Sequence, residues 1–385
     1  MHCHQIKYQD AATQTYLGSP SLLRLDDGDL LATHDYFGPG APRTPSGPLG
    51  PPGEWGLTSV YRSADDGCTW TEVNHIMGCF WAGLFEHRGA VYLLGISQEY
   101  GSVVIRRSED RGNTWTHPAD EKSGLLCRGG PCRQAPNYHC APVPVLAKGG
   151  RLYRAVEDCD PCVWGSGFRS CVISADADGD LLNATSWTMS NKLAYDPAWT
   201  PTEWGHVPVP GWLEGNLVET PGGPPGPQGE VWNILRFNSD PVPDKAAIVQ
   251  VHDGGARISF DPVSGFVDFP GGMTKFTIRR DPETGLYLTL SNNNTDPACA
   301  WQRNVLSLHC SADLRNWWHV ETLLEDDSPL SHEESVRLTA FQYVDWQLDG
   351  EDLIYIVRMA YDGARNFHDA NRVTFHRLEG SRSLL

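Results

Sequence analysis

The chain predicts an all-β fold, a closed antiparallel β-propeller of six blades, with seven as the alternative count. Three observations lead there. Two octapeptides, Ser63-Ala-Asp-Asp-Gly-Cys-Thr-Trp70 and Ser108-Glu-Asp-Arg-Gly-Asn-Thr-Trp115, share the pattern S-x-D-x-G-x-T-W and start 45 residues apart. A short motif repeated at such a period marks a repeat architecture. Each copy follows an apolar, β-rich run, Leu57–Arg62 and Ser102–Arg107. Gly and Pro number 39 and 28 in 385 residues, as many short strands and turns require.

Within the motif, Asp and Gly make the tight turn, because Asp bonds its own backbone and Gly accepts φ > 0. Thr and Trp open the next strand, with Trp as a large buried anchor. Degenerate copies follow at Ser174–Trp187, His252–Phe260 and Ser311–Trp317. These turns carry fold and not chemistry.

Strand signals then group into blades. Blade one takes Ser19–Leu25, Leu30–Tyr36, Leu57–Ser63 and the strand after Trp70. Blade two takes Cys79–His87, Ala90–Ile96, Ser102–Ser108 and the strand after Trp115. Blade three takes His139–Leu146, Arg151–Glu157, Phe168–Ser174 and Trp187. Blade four takes Leu213–Glu219, Glu230–Phe237, Ala246–Val251 and Arg257–Phe260. Blade five takes Thr274–Arg280, Leu286–Ser291, Asn304–Ser311 and Trp317–Thr322. Blade six takes Arg337–Trp346, Asp352–Met359 and Asn371–Leu378. It lacks an outer strand, which His4–Gln9 supplies, so residues 1–385 form a single ring without an exposed edge. Arg43–Glu54 is too rich in turn residues for a blade and reads as a loop over one face. No segment of useful length has helical period.

Net charge is −18 with no basic stripe, which argues against nucleic acid and anionic membranes as partners. No run of about 18 apolar residues spans a membrane. The first residues lack the apolar core of a signal peptide, so the localisation stays open between the cell interior and export of a trimmed chain. The sequence implies no cofactor, no resident metal and a monomer. Eleven cysteines are present. Cys127/Cys132 and Cys159/Cys162 leave free thiols, loop disulfides and half of a zinc site open, and their irregular spacing counts against zinc.

The S-x-D-x-G-x-T-W turns resemble the Asp boxes of the sialidase (neuraminidase) superfamily. That resemblance implies a site over the central channel: three arginines clamping a carboxylate, a Tyr nucleophile assisted by Glu, and an Asp acid/base. Guanidinium groups suit the clamp because they pair bidentately with carboxylates. The run from Glu214 through Asn216 to Glu219, then Glu230–Arg236, resembles the segment with the assisting Glu and second clamp Arg, so Glu214 and Arg236 take those positions. Arg303, just before Asn304–Ser311, takes the third. Three departures stand out. Gly18-Ser19-Pro20 replaces the Arg-Ile-Pro of blade one. No Asp lies between Asp35 and Asp65. The register of Tyr343 in Phe341–Trp346 is shifted by one or two residues against Asp349-Gly350.

Histidines stand out instead: His34 ending the second strand of blade one, His139 opening blade three, and His368 in the last loop. Imidazole takes and returns protons near neutral pH. The chain therefore also resembles propeller enzymes that cleave rhamnose–glucuronate linkages, some of them lyases. The expectation is a glycan-cleaving, exo-acting enzyme for an oligosaccharide or polysaccharide with an acidic sugar. His34, His139, Tyr343 and Glu214 would be catalytic. Arg236, Arg303, Asn216, Asp35, Trp164, Gln342 and His368 would bind substrate, with Trp81 as a further ring. A retaining sialidase with Tyr343 as nucleophile, and a binding propeller without catalysis, are the alternatives.

Overall fold

A computed structural model describes residues 4–42, 56–222 and 229–385. Six antiparallel sheets follow one another along the chain, and the last lies beside the first. The ring is the six-bladed propeller. The stretch Arg43–Glu54, expected as a loop, lies outside the described residues.

In blade one, Ser21–Arg24 and the short Tyr16–Leu17 both pair with Leu30–Phe37, followed by Leu57–Ser63 and Thr71–Met77. Blade six runs Ala340–Asp349, Asp352–Ala360 and Arg372–Leu378. His4–Tyr8 pairs with that third strand and forms its outer edge. The innermost strand Ser21–Arg24 packs against both Phe80–His87 of blade two and Ala340–Asp349 of blade six.

The turns explain how blades lock together. In the first, Asp65 accepts from Thr69 N at 2.8 Å and Thr69 Oγ1 at 2.6 Å, while Ser63 Oγ accepts from Gly67 N at 2.8 Å. The Ser108–Trp115 turn repeats the set through Asp110. In Ser311–Trp317 the Gly position holds Leu314, which still takes φ 66°. Asn316 there replaces Thr as the donor to Asp313. The Trp of each turn packs back on the preceding blade: Trp70 on Phe375 of blade six, Trp115 on the Leu31–Ala82 cluster of blades one and two, Trp317 on Phe269 of blade four. Ser174 instead bonds Gly254 O, so that degenerate copy does not form this turn.

Four expectations of local structure need correction. After Trp115 only one ladder bond forms, Thr116 N to Arg107 O, and the fourth strand of blade two is Leu125–Cys127. His139–Leu146 is two pieces, Tyr138–His139 and Leu146–Lys148, because Pro142 and Pro144 lack the N–H a ladder needs. The second strand of blade one reaches Phe37, one residue beyond the expectation. Arg337 is not in a strand: His332–Leu338 is a short α-helix, opened by a capping box between Ser331 and Glu334.

One device recurs in alternate blades. The inner strands of blades two, four and six each carry a β-bulge placing two residues against one on the neighbour. It falls between Phe80 and Gly83, between Leu213 and Asn216, and between Gln342 and Asp345. In each, the first extra residue is non-glycine with positive φ: Trp81 47°, Glu214 58°, Tyr343 54°. Such a conformation costs roughly 1–3 kcal/mol and persists only where its surroundings enforce it.

Candidate active site

The three bulged residues line one cleft at the channel mouth, with Phe37, Phe80, Glu99, Tyr100, His139, Trp164, Arg358 and His368. The cleft holds about 600 Å³ including its open mouth. The bulges lie near the starts of inner strands, and Phe37, Arg236 and Arg358 near the ends of second strands. In an antiparallel sheet these meet at one edge, while the S-x-D-x-G-x-T-W turns, after the third strands, fall on the opposite face.

Glu214, Arg236 and Tyr343 form one buried network. Arg236 Nη1 donates to Glu214 Oε2 at 2.8 Å, and Tyr343 Oη donates to Glu214 Oε1 at 2.7 Å. Arg236 Nη1 also reaches Tyr343 Oη at 3.4 Å. Burial pushes the Glu214 carboxyl up, but Arg236, His139 and the hydrogen bonds outweigh it and hold the group below its usual range. Burial and the Glu214 charge raise the Tyr343 phenol against three neighbouring arginines. Glu214 is thereby an ionised acceptor beside a phenol that holds its proton.

Two more guanidinium groups stand beside this network. Arg303 donates to Gln342 Oε1, whose amide donates onward to Phe367 O at 2.6 Å. Burial and the nearby Arg236 lower Arg303 to about 10. Arg358 donates to His368 O at 2.6 Å and lies between the rings of Phe37 and Tyr343, 4.7 and 4.8 Å from their centroids. Among the described residues the buried Nε of Arg236, Arg303 and Arg358 lack a partner, as do those of six arginines away from the cleft: Arg24, Arg62, Arg106, Arg107, Arg279 and Arg382.

On another wall, His139 Nδ1 meets Glu157 Oε2 at 2.7 Å and both are buried. The imidazole packs against Trp81 and Phe168, with centroids 4.4 and 4.8 Å away. Among the described residues Nε2 has no hydrogen-bond partner, so a carboxylate-oriented imidazole presents its other nitrogen to the cleft. A second cleft adjoins the first through Trp164 and His368. It is lined by Arg236, Arg303, Trp301 and Phe367, with Trp301 and Phe367 stacked at 4.9 Å. Trp164 is 45 % exposed, and Arg236 lies over its ring at 5.4 Å.

The fold thus brings together Glu214, Tyr343, Arg236, Arg303, His139, Trp164, Trp81 and His368, with Gln342 bonded to Arg303. Three expected residues lie elsewhere. His34 is buried between strands, its nitrogens occupied by Asp35 O at 3.0 Å and Tyr61 Oη at 3.2 Å. Desolvation lowers it to about 4. Strand alternation aims His34 away from the cleft, and Phe37 is the residue of that strand that arrives there. Asn216 bridges blades, donating to Phe276 O at 3.0 Å and accepting from Ile278 N at 3.2 Å. Asp35 lies behind the cleft wall, accepting from Ser19 N at 2.9 Å and Trp81 N at 2.7 Å. Burial raises it to about 7. A side chain at Gly18 would overlap the Asp35 carboxylate, which explains Gly at that position.

Sequence reasoning missed Arg358, Glu157, Phe37, Trp301 and Phe367. An Arg within the apolar run Leu353–Ala360 is the signal for Arg358, but buried Arg154 lies in a similar run and bonds only backbone carbonyls.

No family model and no curated protein matches the chain. Solved structures do. An α-L-arabinanase from Penicillium chrysogenum in complex with arabinobiose is 16 % identical, with 98 % of each chain covered and a TM-score of 0.53. A Hadza microbial sialidase is 13 % identical over 97 % of this chain and 68 % of its own, at TM-score 0.60. An intramolecular trans-sialidase from Ruminococcus gnavus, in complex with oseltamivir carboxylate, is 14 % identical over 99 % and 98 %, at TM-score 0.54. Six antiparallel sheets and these neighbours together identify the fold as a sialidase-like six-bladed β-propeller.

Proposed function

We propose that the chain is a glycoside hydrolase that removes a terminal sugar bearing a carboxylate. The observation that carries this reading is the Tyr343–Glu214–Arg236 network, flanked by guanidinium groups with unpartnered N–H donors at the mouth of the channel. Arg236 and Arg303 would hold the carboxylate. Tyr343 Oη would attack the anomeric carbon as Glu214 takes its proton, and the bond to the leaving oxygen would break. His139, oriented by Glu157, would give a proton to that oxygen. The same His139 nitrogen would then take a proton from the water that attacks the anomeric carbon, while Glu214 returns its proton to the departing Tyr343 oxygen, giving retention of configuration. The Asp box resemblance and the structural likeness to sialidases and arabinan-cleaving hydrolases support the reaction class.

A uronate lyase is the second reading, favoured by the free Nε2 of His139, which could remove the proton next to a carboxylate neutralised by arginine. The two separate in one assay. Aryl glycosides of N-acetylneuraminic acid, glucuronic acid and arabinose, and a rhamnose–glucuronate oligosaccharide, are incubated with the protein. Release of an intact acidic sugar supports the hydrolase. An ultraviolet-absorbing unsaturated uronate supports the lyase and overturns the hydrolase. Turnover of the arabinoside alone overturns the acidic-sugar reading.

A further inference from the structure

Three buried guanidinium groups surround Tyr343, and their neutralisation is uneven. Arg236 has Glu214 at 2.8 Å. Among the described residues, neither Arg303 nor Arg358 forms an ion pair. Arg303 has one amide oxygen, and Arg358 has one carbonyl. Glu214 acts on both groups, and Asp35 and Asp369 on Arg358, only from beyond ion-pair distance; a buried guanidinium without a contacting counter-charge is costly, so a bound anion offers a gain at these two groups. Arg358 is the more constrained: its guanidinium carbon lies 4.7 and 4.8 Å from the Phe37 and Tyr343 ring centroids, and the group lines the cleft. A planar fork suits two-point binding of a carboxylate. The blade-one wall cannot supply a cation from Gly18, because Asp35 fills the space any side chain there would enter.

We propose that Arg358, delivered by the second strand of blade six, is a specificity-determining residue that completes a three-guanidinium clamp for the ligand's carboxylate and sets the preference for carboxylated over neutral sugars. Asp35, behind the cleft wall, holds the Trp81 amide in its left-handed bulge. The proposal rests on the acidic-sugar reading above and adds a residue from outside the sequence-derived set.

The test is calorimetric binding to the full chain with two acid/ester pairs: oseltamivir carboxylate and its ethyl ester, and glucuronate and its methyl ester. The readout is the acid-over-ester affinity ratio within each variant, so an inactive fraction cancels. Arg358→Met is expected to reduce the wild-type ratio about 30-fold, equivalent to ~2 kcal/mol at 1.4 kcal/mol per tenfold. If that variant does not fold, Arg358→Gln, which keeps a donor and loses the charge, carries the test with an expected drop of at least about tenfold. An unchanged ratio in the Arg358 variants, with loss of preference in Arg303→Met, overturns the assignment of Arg358 and leaves the acidic-sugar reading intact. A wild-type protein that prefers neither acid overturns that reading and the clamp with it.

Discussion

Glu214→Gln removes, while keeping the side-chain volume, the carboxylate that pairs with Arg236, one of three clustered guanidinium groups. Glu214 Oε2 accepts from Arg236 at 2.8 Å and Oε1 from Tyr343 at 2.7 Å. The amide of Gln offers one acceptor and one donor end, so one of the two bonds is lost unless the phenol turns to accept. The larger effect is electrostatic: Arg236 becomes an unpaired buried cation beside Arg303 and Arg358. Breaking a buried pair at one partner costs about 3–5 kcal/mol. An unfolding entropy scaled to a chain of this length converts that to a fall in Tm of about 4–6 °C. Glu214 is held below its usual range, so its contribution is fully present above the unfolded carboxylate pKa and is lost as pH falls through the lower folded value. The gap between wild type and variant, measured by calorimetric melting, therefore holds at pH 6–7 and closes below about pH 4. A melting temperature within 1 °C of wild type at pH 7 would refute the claim that Glu214 neutralises the cluster, as would a gap independent of pH.

The remaining predictions follow from the same contacts. His139→Asn lowers glycoside turnover by about 10²–10⁴-fold, whereas His34→Gln, outside the cleft, leaves kcat within about threefold; equal losses would return His34 to the site. Asp35 is raised to about 7, so its folded form binds the extra proton and stability falls as pH rises from about 4 to 7. The stability of Asp35→Asn relative to wild type accordingly improves by up to about 4 kcal/mol across that window in urea titrations, and a constant difference would contradict the shift. Gly18→Ala lowers Tm sharply, and adding Asp35→Ala recovers part of the loss because it removes the overlapping carboxylate. No recovery in the double variant would show that the strain lies elsewhere.

The propeller was legible because its turns are local chemistry. Ser, Asp, Gly, Thr and Trp at fixed offsets build a hydrogen-bonded corner whatever surrounds them, and the third copy tolerates Leu314 only because Asn316 still donates to Asp313. Glu214, Arg236, Arg303 and Tyr343 were legible only through resemblance, since nothing in their local pattern states that three β-bulges turn alternate blades toward one point. His34 misled because its place at a strand end ignored where the side chain goes: Phe37 reaches the cleft, and His34 bonds Tyr61 on the third strand. Arg358 was invisible because its meaning depends on Phe37, at the other end of the chain, and on how a bulge and a loop bring Tyr343 and His368 against it.

The central proposal is a carboxylate-binding glycosidase site built on Tyr343 and Glu214. Its most direct test is the rate of phenol release from aryl glycosides of N-acetylneuraminic and glucuronic acid by wild type and by Tyr343→Phe, with the aryl arabinofuranoside as neutral control. The account predicts turnover of at least one acidic glycoside, none of the neutral one, and a loss of at least about 10³-fold in the Phe variant, the scale of removing a nucleophile. Cleavage of the arabinofuranoside alone, or acidic-glycoside cleavage that survives the loss of the Tyr343 hydroxyl, would contradict it.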